Sequence, residues 1–173
     1  MLIDNIILIG MPGSGKSTVG KHIASTFDKE FIDADDLIEQ AADMPIQAIV
    51  DEWGLVRFSK LEESVLCDIN CQNAVVSTGG SAVFCDRAML HLGNIGCRLF
   101  LKISLETLLA RVTNESSRGL YKEPSQSLTD LYYERLELYP KYADLTFEND
   151  GSFDATDRSA LLRLLNEFRI ELD

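Results

Sequence analysis

Four branched apolar residues, Ile6-Ile7-Leu8-Ile9, run directly into Gly10-Met11-Pro12-Gly13-Ser14-Gly15-Lys16-Ser17, and an amphipathic pattern follows at once. An unbroken apolar run offers water no polar face, so it reads as a buried parallel strand. Val19, Ile23 and Phe27, spaced by four, make the core stripe of a helix. Between the two, glycines let the backbone curl so that successive N–H groups and the helix N-terminus converge on one point. The span fits G-x-x-x-x-G-K-[ST], a cradle for nucleotide phosphates. Lys16 would reach the β- and γ-phosphates, and the Ser17 hydroxyl would ligate Mg²⁺. Gly13, Ser14, Gly15 and Thr18 complete the expected nucleotide-binding set.

Further strand-like runs lie around Phe31-Ile32, at Ala74-Val75-Val76, from Cys97 to Ile103 and at Leu145-Thr146-Phe147, with helical patterns between them. This alternation predicts an α/β fold with a parallel sheet. Ser104 is placed to cap a helix carrying Leu105, Leu108, Leu109 and Val112, and Ala160 to Phe168 reads as a closing amphipathic helix. Ligands collect at the carboxyl ends of strands in such sheets, so the polar residues after the first three strands should converge on one crevice. A length of 173 residues, 46% of them hydrophobic, suits a single domain. The stretch from Thr113 to Gln126 is polar and punctuated by Gly119 and Pro124, the composition of a mobile lid.

The formal net charge of −12 opposes binding to nucleic acid and to anionic membrane surfaces. No run approaches the roughly 18 apolar residues of a membrane span. Met1-Leu2-Ile3-Asp4 lacks the basic segment of an export signal, so a cytoplasmic location is expected. Cys67, Cys71, Cys85 and Cys97 have neither C-x-x-C spacing nor a matching His pair, which points to reduced thiols rather than zinc ligands. Cys67 and Cys71 lie four apart on a predicted helix and would share a face.

Asp33 and Asp35 follow the second strand. If the chain stays extended, the strand period of two turns both carboxylates the same way. Two such neighbours repel unless a metal or a donor-rich substrate separates their duties. One near Mg²⁺ and one gripping a hydroxyl is a natural division. The alternative is a helix N-terminus with acidic first-turn residues leading into Leu37 and Ile38, where Asp36 could take part. Ser77-Thr78-Gly79-Gly80, after the third strand, is a second turn able to approach a ligand closely.

In order along the chain, these motifs resemble the shikimate kinase family, small P-loop kinases of the nucleoside monophosphate kinase fold. The resemblance rests on the phosphate loop through Thr18, on F-x-D-x-D-x-x-I-E at Phe31, Asp33, Asp35, Ile38 and Glu39, and on Gly54, Phe58 and Glu62. It continues through Thr78-Gly79-Gly80, Arg111 and Arg118, and R-x-x-x-Y-x-x-x-A at Arg135, Tyr139 and Ala143. It implies a three-layer α/β/α fold with a five-stranded parallel sheet, a lid at about 113–126 and an acceptor-binding helical region at about 33–62. It also implies ATP-dependent phosphorylation of shikimate, a small hydroxylated acceptor, by a monomeric enzyme. Lys16 and Arg118 would stabilise the transferring group, and Ser17 and Asp33 would organise Mg²⁺. Asp35 would bind the acceptor hydroxyl and orient or deprotonate it, Gly79, Gly80 and Arg135 would hold the acceptor, and Arg111 would lie along the adenine.

The sequence departs from the family pattern in the acceptor half. In the family's G-E-x-x-F-R-x-x-E segment this chain has Leu55 for the glutamate and Ser59 for the arginine. A serine cannot supply the planar, charged, two-pronged donor set of an arginine. On a helix Arg57 points about 200° away from position 59. Glu62 remains, able to face solvent, take a proton or accept from another donor. Ser81 replaces the turn's third glycine and would crowd or hydrogen-bond the acceptor, and Gly119 replaces the proline after the lid arginine. Three readings stay open: shikimate with a rebuilt carboxylate grip, another hydroxylated acid or polyol, and a catalytically silent nucleotide-binding regulatory protein.

Overall fold

The computed structural model describes residues 4–112, 122 and 125–168. Arg118 and Gly119 therefore lie outside the described residues. Five parallel strands form one sheet: β1 (Asn5–Ile9), β2 (Glu30–Asp33), β3 (Ala74–Ser77), β4 (Gly96–Lys102) and β5 (Leu145–Glu148), in the order β2-β3-β1-β4-β5. The apolar run at the start becomes the central strand, and all five of its residues are buried. Its side chains alternate between two cores, as a strand period of two requires. Ile7 and Ile9 join one cluster, and Ile6 and Leu8 join the other.

The face of Ile6 and Leu8 is covered by α1 (Lys16–Thr26), through Val19 and Ile23, and by α8 (Ala155–Glu167), through Leu161 and Leu165. The opposite face is covered by Leu66 of α3 (Ile46–Asp68), Met89 and Leu92 of α4 (Asp86–Ile95), and Leu108 of α5 (Leu105–Arg111). Leu131 of α6 (Leu128–Leu136) and Tyr139 of α7 (Leu138–Tyr142) complete that layer. The architecture is thus the expected three-layer α/β/α sandwich.

A smaller core of Ile38, Ile46, Ile49 and Phe58 ties α2 (Ala34–Ala42) to the first part of α3. Gly54, at φ 77°, breaks the helical path of α3 into two segments. Ser104 caps α5 by accepting from the Thr107 N–H at 3.2 Å, as its position suggested. The closing helix begins earlier than the apolar stripe indicated, because Asp154 and Asp157 form a capping box at its start. Cys71 lies beyond the end of α3, so it does not share a helical face with Cys67. All four cysteines are free thiols. Among the described residues no helix is long and apolar enough to cross a membrane.

Candidate active site

The loops after β1, β2 and β3 meet at the carboxyl edge of the sheet around a cleft of about 650 Å³. The sheet's switch point falls at β1, whose neighbours β3 and β4 carry the chain to opposite sides, and the phosphate loop leaves from that strand. Gly15 takes φ 90° as the residue before α1, a conformation that a side chain strains, and the turn aims the helix N-terminus into the cleft. The Lys16 ammonium folds over the loop and donates to the carbonyl oxygens of Gly10 at 2.8 Å and Met11 at 2.9 Å. Burial pushes its pKa down to about 8, against the opposing pull of Asp35 and Asp33.

Asp33 ends β2 and is itself the N-cap of α2, accepting from the Asp35 N–H at 3.2 Å. The strand period therefore does not extend to Asp35, which stands on the first turn of the helix. Capping and cleft chemistry are not alternatives here, since the other Asp33 oxygen receives the Ser17 hydroxyl at 3.1 Å. Asp35 opens onto the cleft. Desolvation by the surrounding protein and the neighbouring Asp33 raise its pKa to about 6, with Lys16 pulling the other way.

The turn after β3 forms the opposite wall. Gly79 has carboxylates on its open side: a Cβ there would stand 2.7 Å from Glu62 Oε1 and 3.1 Å from Asp35 Oδ1. Ser81 lines the cleft, and its side chain is engaged within the protein. Its hydroxyl donates to Glu62 Oε1 at 2.8 Å. Glu62 is 1% exposed, and burial raises its pKa to about 7 despite that hydrogen bond. Arg135, also 1% exposed, lines the cleft from α6 with its guanidinium 5.1 Å from the Phe84 ring centroid. Arg57, by contrast, is exposed, stacked 4.8 Å over the Trp53 ring, and absent from the cleft lining. It does not stand in for an arginine at position 59. Ser59 is half-buried, its Oγ 3.8 Å from the Cys85 sulfur.

At the nucleotide end, the Arg111 guanidinium donates to the carbonyl oxygens of Gly13, at 3.2 Å, Asn149, at 2.9 Å, and Gly151, at 2.5 Å. It braces the phosphate loop against the loop that follows β5. Buried Asn149 adds a second brace, its Nδ2 donating to the Ser14 carbonyl oxygen at 2.8 Å. No local pattern marks Asn149, because its work is done by tertiary contact. Thr18 is an exposed residue of the first turn of α1 and lines the cleft beside Ser17. Among the described residues no group of three or more His, Cys, Asp or Glu is placed to hold a metal ion.

A backbone cradle for phosphates, with a lysine over it and an ionisable carboxylate and a buried guanidinium in the same cleft, suits phosphoryl transfer to a small acceptor. The chain is a P-loop kinase of small molecules. The family model described as shikimate kinase matches residues 12–166. The shikimate kinase of Vibrio cholerae is 33% identical over 166 residues, 94% of this chain and 95% of that protein. That of Pasteurella multocida is 37% identical over 150 residues, covering 84% and 86%. The structure of shikimate kinase from Acinetobacter baumannii in complex with shikimate superposes with a TM-score of 0.85 at 31% identity, covering 95% of this chain and 94% of that one. The chain belongs to the shikimate kinase family.

Proposed function

We propose that the protein transfers the γ-phosphoryl group of ATP to a hydroxyl of shikimate, giving shikimate 3-phosphate and ADP, in the cytoplasm and as a monomer. The single observation that carries this reading is the convergence of Lys16, Asp35 and Arg135 on one cleft at the end of the phosphate loop. Relatives named as shikimate kinases over almost the full chain support the acceptor.

The Gly13–Ser17 backbone and the Lys16 ammonium bind the phosphates, and Thr18 and Arg111 border the nucleotide. Asp35 accepts the proton as the acceptor oxygen bonds to the γ-phosphorus and the bond to the bridging oxygen of ADP breaks. A carboxylate with a pKa near 6 is ionised at neutral pH yet basic enough to assist. Lys16 neutralises charge on the phosphoryl oxygens, with Arg118 assigned the same work from the lid. Arg135 pairs with the acceptor carboxylate, and Gly79 and Gly80 bring backbone close to it. The Ser17 hydroxyl and Asp33 carboxylate, 3.1 Å apart, are hard oxygen ligands of the kind Mg²⁺ takes together with phosphates and water. Bound there, Mg²⁺ would neutralise phosphate charge and align the γ-phosphoryl group.

Ser59 keeps a second reading in view, a related hydroxylated acid whose carboxylate is held by one guanidinium, or an uncharged polyol that needs none. Measuring ADP release with shikimate, quinate and gluconate separates them. Shikimate-dependent release is expected. ATP binding without turnover on any acceptor would leave only a regulatory nucleotide-binding role.

A further inference from the structure

We propose that Ser81 is a positioning residue for acceptor binding, its hydroxyl holding the Glu62 carboxylate and coupling the turn after β3 to α3, and that a donor placed at position 59 can take over this work. The inference rests on the shikimate reading above only for its kinetic readout.

Among the described residues, Ser81 is the hydrogen-bond donor to Glu62, and the second Glu62 oxygen, Oε2, is buried without a partner. A buried carboxylate stripped of its donor either takes a proton or moves toward the nearest cation. The groups facing it are Asp35 from α2, Arg135 from α6, Tyr139 from α7 and Cys85 just before α4. Arg135 is the cation among them, and the same guanidinium lines the cleft. Losing the Ser81 donor therefore draws Arg135 and Glu62 together at the expense of the acceptor's anionic group. The turn would shift as well, because Gly79 is seated directly against Glu62 Oε1.

Position 59 precedes Glu62 by three residues on α3, so the two side chains occupy one helical face. Cys85 touches Ser59 and also feels the charge of Glu62, which puts the three in one neighbourhood. An arginine at 59 would give Glu62 a charged donor and release Arg135 from that competition.

The test compares wild type, Ser81→Ala, Ser81→Thr, Ser59→Arg and Ser81→Ala/Ser59→Arg. Ser81→Ala is expected to raise the KM for shikimate about tenfold, the scale of one hydrogen bond to a charged group, with kcat and the KM for ATP nearly unchanged. Ser81→Thr keeps the hydroxyl and is expected to stay close to wild type, and Ser59→Arg is expected to reverse the defect of Ser81→Ala. Thermal unfolding of the unliganded proteins from pH 5 to pH 8 supplies a readout independent of any acceptor. Ser81→Ala should lose more stability with rising pH than wild type, and the double variant less. Unchanged KM and unfolding profiles in Ser81→Ala, or an effect of Ser59→Arg that is the same with and without Ser81, would overturn the proposal. If wild type does not use shikimate, the functional reading fails and the unfolding profiles alone decide this one.

Discussion

The Tyr139 hydroxyl donates to the Gly80 carbonyl oxygen at 2.8 Å, fastening α7 to the turn that walls the acceptor end of the cleft. Tyr139 is 1% exposed, and burial pushes its phenol up to about 12, so it stays a donor throughout the physiological range. Tyr139→Phe leaves the Gly80 carbonyl short of a partner. The expected cost is about 1–2 kcal/mol of stability, measured by denaturant midpoint, and a raised KM for shikimate with the KM for ATP unaltered. Equal changes in both KM values would show that the contact does not act at the acceptor end.

How far the sequence carried this picture is plain from neighbouring residues. Ile6 to Ile9 and the phosphate loop are local signals, since apolar continuity and glycine placement are written in adjacent positions, and β1, the loop and α1 formed where expected. Of the two readings open for Asp33 and Asp35 the helix start is the observed one, because Asp33 ends β2 as the cap of α2 and Asp35 falls on the first helical turn, beyond the reach of the strand period. Ser81, Tyr139 and Asn149 reach partners 19, 59 and 135 residues away. Nothing in their local sequence encodes a partner so distant, and only the packed fold reveals it.

The lowered Lys16 pKa makes nucleotide affinity pH-dependent. Phosphates favour the charged ammonium, which the unliganded protein begins to lose as pH rises through about 8. ATP affinity measured by calorimetry should therefore weaken above that pH and take up protons on binding there. Lys16→Met should abolish this dependence. A flat profile between pH 7 and 9 would contradict the buried lysine's role.

Glu62 gives a stability signature of the opposite kind. Its folded pKa of about 7 exceeds the ordinary 4.5, so the folded state binds more protons and its stability falls as pH rises through that window. Glu62→Gln should flatten the fall, gaining on the order of 2–3 kcal/mol relative to wild type between pH 4.5 and 8. Chemical denaturation across that range checks it, and parallel curves for the two proteins would count against the buried acid.

Ser59→Arg addresses the missing guanidinium at the acceptor. If Arg135 is the sole cation on the shikimate carboxylate, a second should improve kcat/KM by about 1.5–3 kcal/mol, the worth of a charged hydrogen bond. Steady-state kinetics at fixed ATP measure it. Unchanged values would mean that the carboxylate does not lie beside position 59.

Formation of a phosphate ester of shikimate from ATP is directly observable. Phosphorus NMR of purified protein with ATP, Mg²⁺ and shikimate follows donor and product together. The expected record is loss of the γ-phosphate signal as a shikimate phosphomonoester appears, one ADP for each ester, with Asp35→Asn still binding ATP but slowed about a hundredfold or more. Tight ATP binding by wild type with no shikimate ester formed would contradict the proposed function.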